Sequence, residues 1–247
     1  MRLHRFYTTQ PLGEEIVKIG DQNIINQLLN VFRFKEGQEV ILFSQDNYDY
    51  HYLIDSYTKK EITFKLKSKE LSIVPQKKVT LYMSLVKKDT FETVVRTCTE
   101  LGVTQIVPVM SERCEKKNLN EERLKIISIE ASEQCGRTNI PIISPIISLK
   151  EAIEAQIVAE QTQNNAEGTQ TRNIVASLFG EKINSEDVKK VISSPVLNIF
   201  VGPEGGFTDN EEKMFDESCF TKIKLTDTIL KADTGAQAIV VLAMILG

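Results

Sequence analysis

No run of roughly 18 apolar residues occurs in this chain of 247 residues, so no transmembrane helix and no membrane partner are expected. The opening stretch MRLHRFYTTQ lacks the apolar core of a secretory signal, which points to a cytoplasmic protein. Cysteine is sparse: Cys98, Cys114, Cys135 and Cys219 lie far apart with no C-x-x-C pair, the pattern of reduced structural thiols. With two histidines and no Cys/His cluster, no metal site is expected. Positive charge is not in excess either. The net charge is −4, a balance that excludes a protein coating nucleic acid over its whole surface.

What is present is ordinary in bulk and uneven in detail. Hydrophobic residues make up 41% and charged residues 26%, as in a soluble globular protein with room for one large domain or two modest ones. Between Lys59 and Lys88 stand nine lysines (59, 60, 65, 67, 69, 77, 78, 87, 88) against Glu61 and Glu70. Two readings of this band are open: phosphate contacts to an RNA, or a solvated lysine-rich strand face.

Short β-like pieces at Leu3–Thr8, Glu39–Phe43, Tyr50–Ser56 and Ile62–Leu66, separated by polar turns, predict a small β-barrel over residues 1–74. Pro75 to Lys78 reads as a linker. From there strands and helices alternate, which predicts a parallel α/β sheet over residues 75–247. The strands fall at Val79–Val86, Val103–Met110, Ile174–Phe179, Val196–Val201 and Thr221–Leu225. Helices fall at Thr90–Leu101, stopped by Gly102, at Glu121–Cys135, stopped by Gly136, and at Leu149–Ile157. The Gln/Asn/Thr-rich segment Gln161–Arg172 reads as an exposed loop.

Two strand–loop–helix turns carry the chemistry. The first, NIFVGPEGGFTDNEE (198–212), has glycines for close backbone approach and Thr208/Glu211 as a capping box. It lacks the lysine of a phosphate loop and the spacing of a dinucleotide turn, and Glu204, Asp209, Glu211 and Glu212 would repel polyphosphate. A neutral or cationic ligand is expected. The second turn, TDTILKADTG (226–235), leads to the strongly apolar AQAIVVLAMIL, with Thr234 and Gln237 read as another capping box. Two such turns build one pocket at the carboxyl ends of neighbouring strands.

GPEGGF after a strand, followed by the L-x-x-x-IL-[RK]-x-[ED]-T pattern, resembles the bacterial 16S ribosomal RNA uridine-N3 methyltransferase family of the SPOUT superfamily. HRF (4–6), ELGV (100–103), SERC (111–114) and EASEQCGR (130–137) agree in order, so the likeness spans essentially the whole chain. It implies an N-terminal PUA-like RNA-binding barrel, a C-terminal SPOUT domain with a deep trefoil knot, and a homodimer. It also implies S-adenosylmethionine as methyl donor, and 16S ribosomal RNA or the small ribosomal subunit as partner. A sulfonium carries no phosphate, so Glu204 is compatible with it, either as an electrostatic partner or as a loop-fixing carboxylate.

The cofactor candidates are Leu178, Val201, Gly202, Glu204, Gly205, Gly206, Leu225, Thr226, Ile229, Leu230 and Thr234. Lys231 is the candidate cation for the uridine anion, with Arg113 and Arg137 as helpers; Arg5, Lys65, Lys67, Lys69, Lys87 and Lys88 are the RNA-contact candidates. Asp233 is either a base or a helix cap. The chain departs from the family pattern at Thr226 (for Gly), Lys231 (for Arg), Asp233 (for Glu) and Gly235 (for Ala). Two alternatives are a SPOUT enzyme acting on another RNA and a non-catalytic ribosome assembly factor.

Overall fold

A computed structural model describes residues 3–72, 74–163, 171–181, 190 and 192–245. The chain forms two compact units, Met1–Val74 with Ser132–Ile140, and Pro75–Ala131 with Pro141–Gly247.

The first unit contains β1 (Arg5–Tyr7), β2 (Ile16–Ile19), α1 (Gln22–Asn26) running into a π-helical turn (Gln27–Val31), β3 (Glu39–Phe43), β4 (Tyr48–Tyr57) and β5 (Ile62–Leu71). Its sheet order is β1-β3-β4-β5-β2, with β1 parallel to β3 and the other pairs antiparallel. β1 and β2 stand at the two ends of this order, so the hydrogen-bonded sheet is a half-barrel. Phe6, Ile19, Val40, Leu42, Tyr52, Ile54 and Phe64 fill its inner face, joined by Ile24, Ile25 and Leu28. β2 and α1 add to the predicted elements. β2 is only four residues of alternating burial, and α1 is five residues capped by the Asp21 side chain, each below the length at which periodicity speaks.

The second unit is built on seven parallel strands among the described residues. They are β6 (Lys78–Ser84), β7 (Gln105–Met110), β8 (Ile142–Ile143), β9 (Ile147–Ser148), β10 (Thr171–Glu181), β11 (Val196–Val201) and β12 (Thr221–Ile223). They run in the order β12-β10-β11-β6-β7-β8, with β9 also on β7. Alternate residues face opposite sides, because successive side chains of a strand do. Leu81, Ile174 and Ile199 join the cluster containing Phe91, Val94 and Val95 of α2 (Lys88–Glu100), Leu124 and Ile127 of α3 (Glu121–Cys135), and Ala236, Ile239 and Val240 of α6 (Ala232–Ile245). Tyr82, Val175 and Phe200 join Leu149, Ala152 and Ile153 of α4 (Leu149–Gln163) and Phe215 of α5 (Asp209–Glu217). The expected parallel α/β sheet is therefore present, with helices on both faces.

Two expectations are corrected. The segment read as a loop from Gln161 is helical to Gln163, and β10 already starts at Thr171; residues 164–170 lie outside the described ones. The sequence 149–163 holds no Gly or Pro and is rich in Ala, Glu and Gln, so nothing stops the helix after Ile157. The last helix starts at Ala232, with the Gly235 N–H already donating to the Lys231 carbonyl at 2.8 Å. Thr234 therefore sits inside the first turn and is not an N-cap. Gly180 has a separate role: a Cβ there would lie 2.8 Å from the Lys222 backbone, so the close pass of β10 by β12 requires glycine.

Candidate active site

A cavity of about 170 Å³ opens at the carboxyl ends of β10, β11 and β12, where an open parallel sheet gathers its loops. One wall is the Gly202–Phe207 turn. The predicted capping box closes it: Thr208 Oγ1 accepts from the Glu211 N–H at 3.3 Å, and Glu211 Oε2 accepts from the Thr208 N–H at 2.9 Å. Gly206 has φ +67°, the left-handed region that side chains resist.

The turn is held from the segment after β7. Arg113 Nη1 donates to the carbonyls of Gly205 (2.7 Å) and Phe207 (3.1 Å), while the buried Glu211 takes the Glu112 N–H on its Oε1 at 2.7 Å. Glu204 is exposed, and its Oε1 accepts from the Lys87 N–H at 3.4 Å, a loop-fixing contact. Arg113 is likewise occupied with backbone.

β10 supplies a second wall. Ser177 Oγ accepts from the Phe179 N–H at 3.1 Å and donates to Glu212 Oε1 at 2.8 Å. Glu212, itself buried, pairs through Oε2 with Lys222 Nζ at 2.9 Å, and Lys222 also reaches Asp216 at 2.7 Å. Burial penalises the Lys222 ammonium, but the bonds to Asp216 and Glu212 outweigh it and lift its pKa above the ordinary lysine value. Leu178 and Phe179 stand at the cavity 49% and 72% exposed, and Ile229 across from them on the third wall is 78% exposed. Apolar side chains so open to water are suited to covering a ligand.

The third wall is the loop before α6. Leu225, Thr226, Ile229, Leu230 and Lys231 line it, and Thr226 Oγ1 donates to the Thr228 carbonyl at 2.7 Å. Lys231 is exposed. The cavity thus brings together Leu178, Val201, Gly202, Glu204, Gly205, Gly206, Leu225, Thr226, Ile229 and Leu230 with Arg113 and Lys231. Thr234 does not line it, because the early helix start carries it onto an exposed part of the first turn. Asp233 Oδ1 accepts from the Thr234 N–H at 2.9 Å.

Arg137 belongs to the first unit and is buried, which holds its guanidinium below the usual arginine value. Arg5 is buried in the same unit, paired with Asp49, 4.9 Å from the centre of the Phe43 ring, and bonded to the Arg137 carbonyl at 3.3 Å. Lys65, Lys67 and Lys69 share the outward face of β5: Lys65 is 4.0 Å from Glu15, Lys67 2.5 Å from Glu39, and Lys69 lies 3.6 Å above the Tyr48 ring. Lys87 precedes α2, and Lys88 pairs with Glu92 at 3.7 Å.

Ser177 and Lys222 escaped the sequence reading, since they come from different elements and no local pattern marks them; Glu212 was noted only for its charge, and its bonds to both were not foreseen. Glu211 carried a signal through its cap, but its bond to Glu112 did not.

A family model for an RNA methyltransferase domain matches residues 74–245. The chain is 26% identical over 254 residues to the ribosomal RNA small subunit methyltransferase E of Rickettsia conorii, covering all of this chain and 97% of the relative. It is 30% identical over 191 residues to the corresponding protein of Aquifex aeolicus, covering 75% of this chain and 76% of the relative. Among solved structures, a ribosomal RNA small subunit methyltransferase E from Neisseria gonorrhoeae bound to S-adenosyl methionine superimposes with a TM-score of 0.82 at 26% identity. That match covers 97% of this chain and 95% of the other.

Proposed function

The chain belongs to the ribosomal RNA small subunit methyltransferase E family, and from that premise we propose that it methylates ring N3 of one uridine in 16S ribosomal RNA, using S-adenosylmethionine. The observation that carries this reading is the single cavity in which both glycine-rich and LK-x-D-T turns meet at the strand ends. The residues fit that cofactor. Leu178, Val201, Leu225 and Leu230 offer apolar walls to a purine, and the glycine turn offers backbone groups. Glu204 at the cavity suits a cation and opposes a polyphosphate, whereas the Glu212 carboxylate is already balanced by Lys222. Bound there, the cofactor supplies an electrophilic methyl group on a sulfonium.

The chain's own residues do the rest. Neutral uracil N3 is a poor nucleophile, so its anion must be favoured. Lys231 lines the cavity and is exposed, and in this reading it is the residue that presents a positive charge to the uracil carbonyl oxygens. Arg113 keeps the cofactor turn in shape by holding the Gly205 and Phe207 carbonyls, a positioning role. Base pairing masks N3, so the target is unpaired or extruded. A PUA-like RNA-binding role for the first unit, a trefoil knot in the second, a homodimer and a cytoplasmic setting belong to the same proposal. The test is mass mapping of 16S RNA from cells with and without the gene. A lost methyl group on uridine N3 that returns with the wild-type gene supports it; an unchanged map overturns it.

A further inference from the structure

The π-helical turn Gln27–Val31 ends in a conformation that its sequence does not favour. Arg33, between Phe32 and Phe34, has φ +56°, in the left-handed region where a long side chain is unfavourable. Strained backbone and π-helical turns concentrate at working sites, so this outlier calls for a role. Its effect is to put three rings together. His4 lies 4.2 Å from Phe32 and 5.4 Å from Phe34, and the two phenylalanines are 5.9 Å apart. Phe6 supports Phe32 from the core at 5.9 Å. His4 is exposed, Phe32 is 39% exposed, and Phe34 is partly buried.

Arg33 and Lys35 flank the rings, both exposed and neither in an ion pair among the described residues. Glu36 is the nearest acidic residue in sequence. By contrast, Lys65 and Lys67 on β5 each face a carboxylate and Lys69 faces Tyr48. The exposed apolar surface here, Val31 and Phe32, is far smaller than a protein interface needs. Rings for stacking with unengaged cations beside them match a nucleobase and its flanking phosphates.

Resting on the RNA-methyltransferase reading, we infer that His4, Phe32 and Phe34 form a stacking site for an unpaired base of the RNA substrate, with Arg33 and Lys35 on the adjacent phosphates. The test measures binding of a small-subunit RNA fragment with an unpaired segment by the full chain, over a range of salt, alongside S-adenosylmethionine affinity and thermal stability. Phe32→Ala weakens RNA binding at least about fivefold and leaves cofactor affinity unchanged, while Phe32→Tyr, which keeps the ring, restores it. Phe32 packs on Phe6, so exposed Arg33→Gln serves as the second variant; it lowers the salt slope by about one unit. Parental RNA affinity in Phe32→Ala, or a parental slope in Arg33→Gln, overturns the stacking site while RNA methylation stands. Loss of self-association without loss of RNA binding overturns it in favour of a protein contact. A parent chain that binds cofactor and no RNA at all removes the reading and the stacking site together.

Discussion

At the scale of single residues, Lys231 and Gly205 carry the sharpest expectations. Lys231 stands exposed at the cavity, at the position where the sequence resemblance predicts arginine. If it stabilises the uridine anion, Lys231→Met removes the charge and keeps most of the volume. Losing one preorganised donor of this kind lowers single-turnover methyl transfer by about 10²–10³. Lys231→Arg keeps the charge and stays within roughly tenfold. Cofactor affinity holds in both, because the interaction exists only in the transition state. A methionine variant running at the parental rate reduces Lys231 to a loop lysine. Gly205 is the complementary case. A Cβ added there would meet Arg113 Cδ at 3.3 Å, and Arg113 is the side chain that fixes this turn. Gly205→Val therefore displaces Arg113 as it fills the cavity, and calorimetry should find S-adenosylmethionine affinity much reduced in a variant that still folds. Unchanged affinity removes the turn from the cofactor site.

At the scale of elements, legibility tracked local pattern. Val196–Val201, Glu121–Cys135 and the Thr208 cap were readable to the residue, because an apolar run, a glycine stop and a capping box each declare themselves within a few positions. β2 and the π-helical turn were too short to show a period, and the final helix began three residues before the supposed Thr234 cap could act. The site divided the same way: its two turns were local and visible, whereas Arg113 grips a carbonyl 92 residues away and Ser177, Glu212 and Lys222 meet from separate elements. Only tertiary structure brings such groups together. β5 poses the open question at this scale. Its lysines face outward by simple alternation; the Lys65–Glu15 pair is exposed, and exposed pairs of this sort contribute about 0–1 kcal/mol, while Lys67 is held by the partly buried Glu39 and Lys69 lies over Tyr48. Lys65 is thus the one most cheaply released to phosphate. Neutralising Lys65, Lys67 and Lys69 together should weaken RNA binding, lower its salt slope by up to about three units and spare cofactor binding. An unaltered slope returns them to a solvated face.

At the scale of the whole molecule, the apolar content of the last helix demands a partner on more than one side. Ala232, Ala236, Ile239, Val240 and Ala243 are buried, in one cluster with Phe91, Val94, Val95 and Cys98 of α2. The Cys98 thiol is so enclosed that burial pushes its pKa up to about 12. That accounts for one face. Leu242 and Met244 pack against the same cluster but stay partly exposed, and Ile245 is 72% exposed at the end of the same helix. Elsewhere in this unit Ile126, Ile142 and Val158 are 47%, 64% and 61% exposed. Single exposed apolar residues are ordinary, but several on one unit are the raw material of a subunit contact. A second copy of the chain is the proposed cover for the exposed end of α6, since an isologous contact generates a closed two-fold dimer. Sedimentation at micromolar concentration should give twice the chain's 27.9 kDa mass. Replacing Leu242 and Ile245 together with lysine should shift it towards monomer, with the far-ultraviolet spectrum retained. A parent chain that sediments as a monomer rules out the dimer and leaves the α6 cluster as the core of a self-sufficient unit.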